Sequence, residues 1–510
     1  MSVYLSAREP KAIVMARWLD RTKGEYNRVY DYQEELLRSN PGSTIVVKLD
    51  KDYQDPVFQR FYVCLNACKK GFLAGCRKVI GLNGCFLKGA TTGVLLCAIG
   101  RDGNNQIYPI AWAMVEMETN DSWDWFCYLL CKDLQIGDGD GSVIISDQQK
   151  GILNSVQTWL PKAEHRNCAR HIYANWRKKF KKKEYQKMFW KCAKAPCITL
   201  FNIARAELAE KTPQGAQAIM NIAPHYWSRA WMKLESNCDS VDNNICESFN
   251  KWIVEARYLP IISMLEAIRC KVMIRIHGMI NKSARWQQVI CPNILRKLKG
   301  AVNSSTYCHA ICCGRESYEV QHNDQRWTVD LEKKTCSCRY WQLSGLPCCH
   351  AISCIYFKTN KLDDYIASCY TVDMFKKTYE YWLQPVEGMQ NWPTSEMAKP
   401  LPPKQLKMPG RPRKERRREP QEKPKGRRLS KRGTVIRCRK CKTGHNRSTC
   451  DRRNSGTSNM GASPPNVQPA QSQSNVQPAQ SQAHVNSLNV MVWTDTSSIY
   501  SQVPFHDMYI

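Results

Sequence analysis

The fold is decided by residues 78–176, which contain KVIGLNGCFLKG (78–89), GVLLCAIGRDGNNQIYPIAWAMVE (93–116) and VIISDQQKG (143–151). These short apolar runs, separated by turn-forming residues, predict four β-strands, in KVIGLNGCF, GVLLCAIG, IYPIAWAMVE and SVIISD. The Asp-Gly and Asn-Asn pairs at 102–105 predict a turn between the second and third strands, because both pairs tolerate positive φ.

Helices are predicted on either side of the fourth strand. Apolar residues recur at helical spacing in DSWDWFCYLLCKDL (121–134), with Asp121 or Ser122 as the N-cap, and in QQKGILNSVQTWL (148–160). Three antiparallel strands followed by helix, strand and helix open an α/β fold of the RNase-H-like class, and the same strand count also fits other α+β folds. We therefore expect an RNase-H-like core over 76–300, with a helical insertion at about 176–240 that is rich in Lys, Trp and helix formers.

The flanking segments differ in composition. Residues 1–75 read as a mostly helical, polar linker that contains a strand in IVVKLD (45–50). Strand patterns return from about 303, where YEVQHNDQRWTVD (318–330) predicts a hairpin and LPCCHAISCIYF (346–357) a turn into a helix, so we expect a small module at 303–365. Residues 451–510, with the repeated octapeptide NVQPAQSQ, are expected to be a disordered Ser/Asn/Gln/Pro tail.

The charge of the chain points to a polyanionic partner. Its 510 residues, enough for two or three folded units, carry a net charge of +30. Such an excess of Lys and Arg makes nucleic acid the first partner to consider, and a basic tail on an unrelated enzyme the other explanation. The Pro-rich segment 393–450 is the most basic, with 19 Lys and Arg against 3 Glu between 401 and 450.

One run in this basic segment, PGRPRK (409–414), has two explanations. Arg411, Arg413 and Lys414 around Gly-Arg-Pro resemble an AT-hook, whose extended backbone lays Arg into the narrow minor groove of A/T-rich DNA. The same residues, together with Arg416, Arg417 and Arg418, also form a nuclear-import signal, and we rank import first. The nucleus is therefore the expected location.

The 26 cysteines are expected to stay reduced. The N-terminus has no apolar run of signal-peptide length, and no stretch approaches the roughly 18–20 apolar residues that cross a bilayer. No membrane partner is expected. Reduced cysteines near histidines indicate metal sites or buried thiols.

The most specific metal pattern is C-x-C-x9-C-x-H, formed by Cys336, Cys338, Cys348 and His350. Three thiolates and one imidazole fill the tetrahedron of Zn²⁺ and leave no open position, so such a site is structural. Zinc binding in small modules contributes about 10 kcal/mol of folding free energy. The alternatives are buried thiols with an unrelated His, or Cys349 in place of Cys348 as the third ligand.

This spacing resembles the SWIM zinc finger, and a longer resemblance accompanies it. The block FLKG…GVLLCAIGRDGNNQIYPIAWAMVE…SWDWF…ISDQQKGI…HRNCARHIYANW is similar to the transposase domain of plant Mutator-like elements (MULE, or MuDR, family). The far-red-impaired-response transcription factors, which derive from such transposases, share the arrangement. The resemblance runs from about residue 10 to 370, and it implies that residues 1–75 are a linker or the remnant of an upstream DNA-binding region.

The resemblance implies a two-metal active site of two Asp and one Glu. Carried over residue by residue, Asp147 in IISDQQKG matches the second Asp, and Glu247 in NNICESFN matches the Glu. The first Asp is replaced by Asn83 in IGLNGCFLKG. Because an amide brings no negative charge, two carboxylates remain to hold two Mg²⁺ or Mn²⁺ ions, and we expect impaired catalysis.

Two further Cys/His groups are candidates. An H-x2-C-x2-H cluster follows the second Asp in the family, and here it is formed by His165, Cys168 and His171. Three roles are open for this cluster: binding a metal, positioning DNA, or packing in a core. The second group resembles a CCHC zinc knuckle, but one residue is missing from its middle spacing, so weak or absent zinc binding is expected. Its members are Cys438, Cys441, His445 and Cys450.

Three functions remain open from the sequence. The first is a nuclear, DNA-binding zinc protein derived from a transposase and catalytically degenerate. The second is an active DNA transposase in which Asn83 is tolerated. The third is an interaction protein or transcriptional regulator acting through its SWIM module, with itself or related proteins as partners.

Overall fold

The structure is a computed structural model that describes residues 20–50, 53–89, 92–359 and 361–403. Its strands are β1 (Thr44–Asp50), β2 (Val57–Cys64), β3 (Arg77–Phe86), β4 (Val94–Arg101), β5 (Ile107–Val115), β6 (Val143–Ser146), β7 (Glu164–Asn167), β8 (Cys308–Cys312), β9 (Ser317–His322), β10 (Gln325–Asp330) and β11 (Thr335–Cys336). The labelled helices are α1 (Val29–Ser39), α2 (Asn66–Gly75), α3 (Asn120–Leu134), α4 (Lys150–Trp159), α5 (Ala169–Trp176), α6 (Lys183–Lys194), α7 (Ile198–Lys211), α8 (Pro213–Met220), α9 (Asn244–Trp252), α10 (Ile261–Ser283), α11 (Pro292–Ser305), α12 (Tyr340–Ser344), α13 (Cys349–Phe357) and α14 (Val372–Tyr379).

A seven-stranded mixed sheet lies at the centre, in the order β1-β2-β5-β4-β3-β6-β7. The four strands predicted from the apolar runs are present as β3, β4, β5 and β6. The first three pair antiparallel, whereas β6 and β7 run parallel to β3. Strands β1 and β2, from the range expected to be a linker, extend the same sheet, so an α/β fold is confirmed.

The burial of strand β4 explains its unbroken apolar sequence. Seven of its eight residues are buried, which is the pattern of a strand covered on both faces. Helix α9 packs against β3, β4 and β5. Helices α3 and α4 pack against one another, and α3 also contacts β2 and β5.

Close approach between α9 and β3 depends on Gly81. A β-carbon at this position would lie 2.4 Å from Asn243 Oδ1 and 2.7 Å from Cys246 Sγ. Asn243, the N-cap residue of α9, also donates from Nδ2 to the backbone oxygen of Leu82 at 2.9 Å. The helix that carries Glu247 is thereby fixed on the strand that carries Asn83.

The predicted N-cap of the helix after β5 was wrong. Helix α3 begins at Asn120 and is capped by Thr119, whose side chain accepts from the Ser122 backbone N–H at 3.1 Å. Ser122 Oγ in turn accepts from the Thr119 N–H at 2.9 Å. Asp121 lies within the first turn and pairs with the buried Arg60 instead.

The range expected to be a helical insertion contains α6, α7 and α8, which have a hydrophobic cluster of their own. Phe189 and Trp227 stack at its centre, with ring centroids 5.6 Å apart. Among the described residues, no helix is both long and apolar enough to span a membrane.

A second, four-stranded antiparallel sheet has the order β11-β10-β9-β8. The predicted hairpin is present, since β9 pairs with β10 over their whole lengths. Gly345, at φ +69°, ends α12, and α13 begins at Cys349 as the predicted turn into a helix requires. Helix α13 contacts β8, β9, β10 and β11.

Candidate metal centres

Three cysteines and one histidine converge where β11 meets the start of α13. Cys336 ends β11, Cys338 follows two residues later, Cys348 is the N-cap of α13, and His350 lies in its first turn. One ligand atom from each lies within 4.8 Å of all the others, and all four residues are buried. His350 Nδ1 is 3.6 Å from Cys336 Sγ and 3.8 Å from Cys348 Sγ.

Neighbouring side chains hold these four residues in place. Gln342 accepts from the Cys336 N–H at 3.2 Å and donates to its carbonyl oxygen at 3.0 Å. Trp327 of β10 stacks on the His350 ring, with centroids 5.1 Å apart. These contacts orient Cys336 and the His350 ring, which is the role of outer residues at metal sites.

Cys338 is the thiol of the cluster that ionises most readily, because a hydrogen bond with Cys338 raises the pKa of Cys336 and burial raises the pKa of Cys348. Hydrogen bonds from Cys336 and then Cys348 lower the pKa of Cys338 well below its usual range, against the effect of burial. Burial by itself lowers the pKa of His350, but the adjacent Cys336 and Cys338 outweigh it and raise the pKa. A buried set of three sulfurs and one imidazole nitrogen fits tetrahedral Zn²⁺.

A second group of polar residues surrounds the end of β3 and β6. Asn83 lies in β3 opposite Cys97, and its carbonyl oxygen accepts from the Cys97 thiol at 3.3 Å. The Cys97 thiol also lies 3.8 Å from Oδ1 of Asn250 in α9. Asp147 follows the last residue of β6 and accepts from the Gln149 N–H at 3.2 Å. Strands β3 and β6 are neighbours, so Asn83 and Asp147 belong to adjacent strands of one sheet.

Glu247, in the first turn of α9, joins the residues of the predicted H-x2-C-x2-H cluster. Ligand atoms of Cys168, His171 and Glu247 lie within 4.8 Å of one another. A hydrogen bond with Cys168 raises the pKa of His171, and the nearby carboxylates of Asp147 and Glu247 raise it further. Glu247 also pairs with Arg170 at 3.5 Å. Asp147 and Glu247 are therefore both close to His171.

His165 takes a separate position. It lies in β7, and its Nε2 is 2.7 Å from Ser146 Oγ. Burial lowers the pKa of His165 to about 4, so the ring is neutral near pH 7. Of the three residues predicted as one cluster, the structure brings Cys168 and His171 together and leaves His165 outside their group.

One acidic residue near Asn83 was not predicted. Glu118 precedes the cap of α3, and a β-carbon on Gly84 would lie 2.3 Å from Glu118 Oε1. Gln149 Nε2, two residues after Asp147, lies 3.4 Å from the Glu118 carbonyl oxygen. Because successive side chains of a strand point to opposite faces, this carboxylate lies on the face of β3 opposite the Asn83 side chain.

The remaining predicted site residues lie outside the described part of the chain. They are the zinc-knuckle residues Cys438, Cys441, His445 and Cys450, and the basic residues Arg411, Arg413, Lys414, Arg416, Arg417 and Arg418.

Comparison with known families gives two matches. The MULE transposase domain matches residues 79–175, and the SWIM zinc finger matches residues 318–356. Asn83 and Asp147 lie in the first range and the four zinc-ligand candidates in the second, whereas Glu247 lies in neither. No curated protein matches the chain. The two matches and the Cys/His cluster support a MULE-type, transposase-derived zinc-binding protein.

Proposed function

We propose that the chain is a nuclear, DNA-binding protein derived from a transposase of plant Mutator-like elements, with a structural zinc and a degenerate catalytic site. The observation that carries the proposal is Asn83, in strand β3 near the start of the matched transposase domain. The far-red-impaired-response proteins, with the same arrangement of transposase domain and SWIM finger, are its proposed relatives. DNA is the proposed partner, with other copies of the chain or related proteins as further ones.

An RNase-H-like core is part of this proposal. The sheet order β5-β4-β3-β6-β7 supports it. Strands β3 to β5 pair antiparallel, helix α3 leads from β5 to β6, and helix α4 leads from β6 to the parallel strand β7. In such a core the first strand is central, and the end of the fourth predicted strand lies beside it. Asn83 and Asp147 occupy these two positions.

The chemistry requires several carboxylates. A pair of divalent ions, when bound, orients the attacking oxygen and offsets charge on the scissile phosphate. Asp147 and Glu247 would hold such ions, while Asn83 offers only a neutral amide oxygen. Arg170 already partly neutralises Glu247 through their 3.5 Å contact. The loss of one negative charge therefore weakens the second metal position most.

A second candidate function is an active transposase in which Asn83 is tolerated. The observation that favours it is that the two remaining carboxylates, Asp147 and Glu247, both lie close to His171. In that case, replacing Asn83 by Asp would change little.

Nicking of supercoiled plasmid DNA by the full chain, with Mg²⁺ or Mn²⁺, separates the two candidates. For the degenerate protein we expect nicking at background, a gain of at least about tenfold in Asn83→Asp, and loss of that gain when Asp147→Ala is added. The control for the gain is Asn202→Asp, which adds the same charge at an exposed position of α7.

Robust nicking by the natural sequence that disappears in Asp147→Ala would instead establish the active enzyme. No gain in Asn83→Asp would then show that the amide at this position is tolerated.

A further inference from the structure

A second group of metal-ligand side chains lies directly beside the SWIM cluster. It consists of Cys308, His322, Cys349 and His350, whose Nε2 faces this group. One ligand atom from each residue lies within 4.8 Å of all the others. Cys308, His322 and Cys349 are half-buried, in contrast to the fully buried SWIM ligands. The SWIM pattern assigns no role to Cys308, His322 or Cys349.

The fold builds this group from three separate elements. Cys308 of β8 and His322 of β9 are direct cross-strand partners, so their side chains leave the same face of the sheet. Other residues of that face, Tyr318 and Val320, are buried in the cluster under α13. Cys349 is the first residue of α13 and lies next to His322 on this face, with its Sγ 4.0 Å from His322 Nδ1.

His350 connects the two groups through its two ring nitrogens. Its Nδ1 faces Cys336 and Cys348, whereas its Nε2 lies 3.0 Å from His322 Nδ1. One proton can be shared across that contact, which would make His322 an orienting partner of His350. That role needs neither Cys308 nor Cys349, and so it does not explain why two half-buried thiols lie beside His322.

We propose that Cys308, Cys349 and His322 form a second binding site for a soft divalent metal, with Zn²⁺ as the ion of first choice. Two thiolates and one imidazole are ligands that zinc prefers, and the separations among their ligand atoms are within reach of one tetrahedron. Binding releases one proton from each thiol. The fourth position is open to water, and His350 Nε2 lies beside it as a hydrogen-bond partner.

The site has a structural consequence. Strand β8 is at the edge of the small sheet, and three of its five residues, His309, Ile311 and Cys312, are exposed. A metal held by Cys308, His322 and Cys349 would fasten this edge strand to α13. The small module would then be held by two adjacent metal ions rather than one.

The test is the zinc content of the full chain, measured by mass spectrometry for the natural sequence and for variants prepared in parallel. Cys308→Ser and Cys349→Ser are each expected to lose about one zinc equivalent. Cys312→Ser, in the same strand but outside the group, is the matched control and is expected to lose none. Unchanged zinc in both Cys308→Ser and Cys349→Ser would overturn the proposal.

A second measurement on the natural sequence does not depend on how well the variants fold. In the cadmium-substituted chain, ¹¹³Cd NMR separates ions bound by two thiolates from ions bound by three. We expect a two-thiolate resonance in addition to the three-thiolate resonance of the SWIM site. Absence of the two-thiolate signal would refute the second site, as would a Cys308–Cys349 disulfide found in its place in the purified protein.

Discussion

Gly81 is the residue on which the position of Glu247 depends. A methyl group at Gly81 would meet Asn243 Oδ1 and Cys246 Sγ at 2.4 and 2.7 Å, too close for either to stay in place. We predict that Gly81→Ala destabilises the chain by about 1–3 kcal/mol, measured by urea unfolding, because α9 must move off β3. Gly278→Ala in α10, where nothing lies within 4 Å, is the control and should stabilise by up to about 1 kcal/mol. Equal stabilities of the two variants would contradict this reading.

The sequence predicted some of the metal-ligand and capping residues but not others. The four zinc-ligand candidates could be found from the sequence because their spacing spans only fifteen residues and matches the needs of one ion. Cys308 and Cys349 meet only after β8, β9 and α13 have packed, so no local pattern connects them. For the cap of α3, four consecutive residues, Thr119 to Ser122, have capping side chains. Their mutual hydrogen bonds, which the sequence does not reveal, select Thr119.

Among the secondary-structure elements, the apolar strands β3 to β6 were predictable and the polar strand β7 was not. Strands β3 to β6 are apolar runs bounded by turn residues, which is a local signal. Strand β7 is only EHRN, and its Arg166 is buried because Glu164 and the Cys238 carbonyl oxygen satisfy its guanidinium. A strand with this composition is stable because these two partners offset the buried charge of Arg166. The contact with Cys238 forms only in the folded chain, so the residues of the strand do not predict it.

Helix α11 is fastened to the loop that precedes α9 by ion pairs whose strength depends on pH. Asp239 lies 3.0 Å from Arg229 and 2.9 Å from Lys297 of α11. Burial by itself would raise the pKa of Asp239, but Arg229 and Lys297 outweigh it and hold the pKa well below its usual value. Because the folded pKa is lowered, the stabilisation is complete above the unfolded pKa of about 3.9 and is lost as the pH falls through the folded pKa.

We therefore predict that Asp239→Asn costs about 3 kcal/mol at pH 7, since it leaves Arg229 and Lys297 without a carboxylate partner. In urea unfolding, the difference between the natural chain and this variant should be constant from pH 6 to 8 and shrink below about pH 4. Asp138→Asn is the matched control, because Asp138 pairs with Lys162 at an exposed site. A difference that grows on acidification would contradict the assignment.

The small module of β8–β11 and α13 should depend on its zinc. Its buried cluster contains Cys336, Cys338 and Cys348 themselves, so that the ligands are also part of its core. We predict that Cys336→Ser loses the SWIM zinc, the second zinc proposed above and the hydrogen-exchange protection of 308–357, because metal binding and folding are coupled. Protection of β3 to β6 should persist. Full protection of 308–357 in the zinc-free variant would show that the module folds without metal.

In the chain as a whole, charge is concentrated beyond the described residues. Between 401 and 450 the 19 Lys and Arg against 3 Glu supply a net charge of +16, more than half of the +30 of the whole chain. Binding to DNA through phosphates releases counterions, so affinity falls steeply with salt in proportion to the number of contacts. If this segment supplies most of those contacts, its removal should weaken binding and also flatten the dependence on salt.

We predict that a chain ending at residue 403 binds a random-sequence duplex at least about 100-fold more weakly than the full chain at 100 mM salt, with a smaller salt slope. A chain ending at residue 450, which keeps the basic segment and lacks only the Ser/Asn/Gln/Pro tail, is the control and should bind like the full chain. Fluorescence anisotropy between 50 and 200 mM salt measures both quantities. Similar affinities and slopes for the 403 and 450 chains would assign DNA binding to the folded part instead, where the basic helix α6 would be the first surface to test.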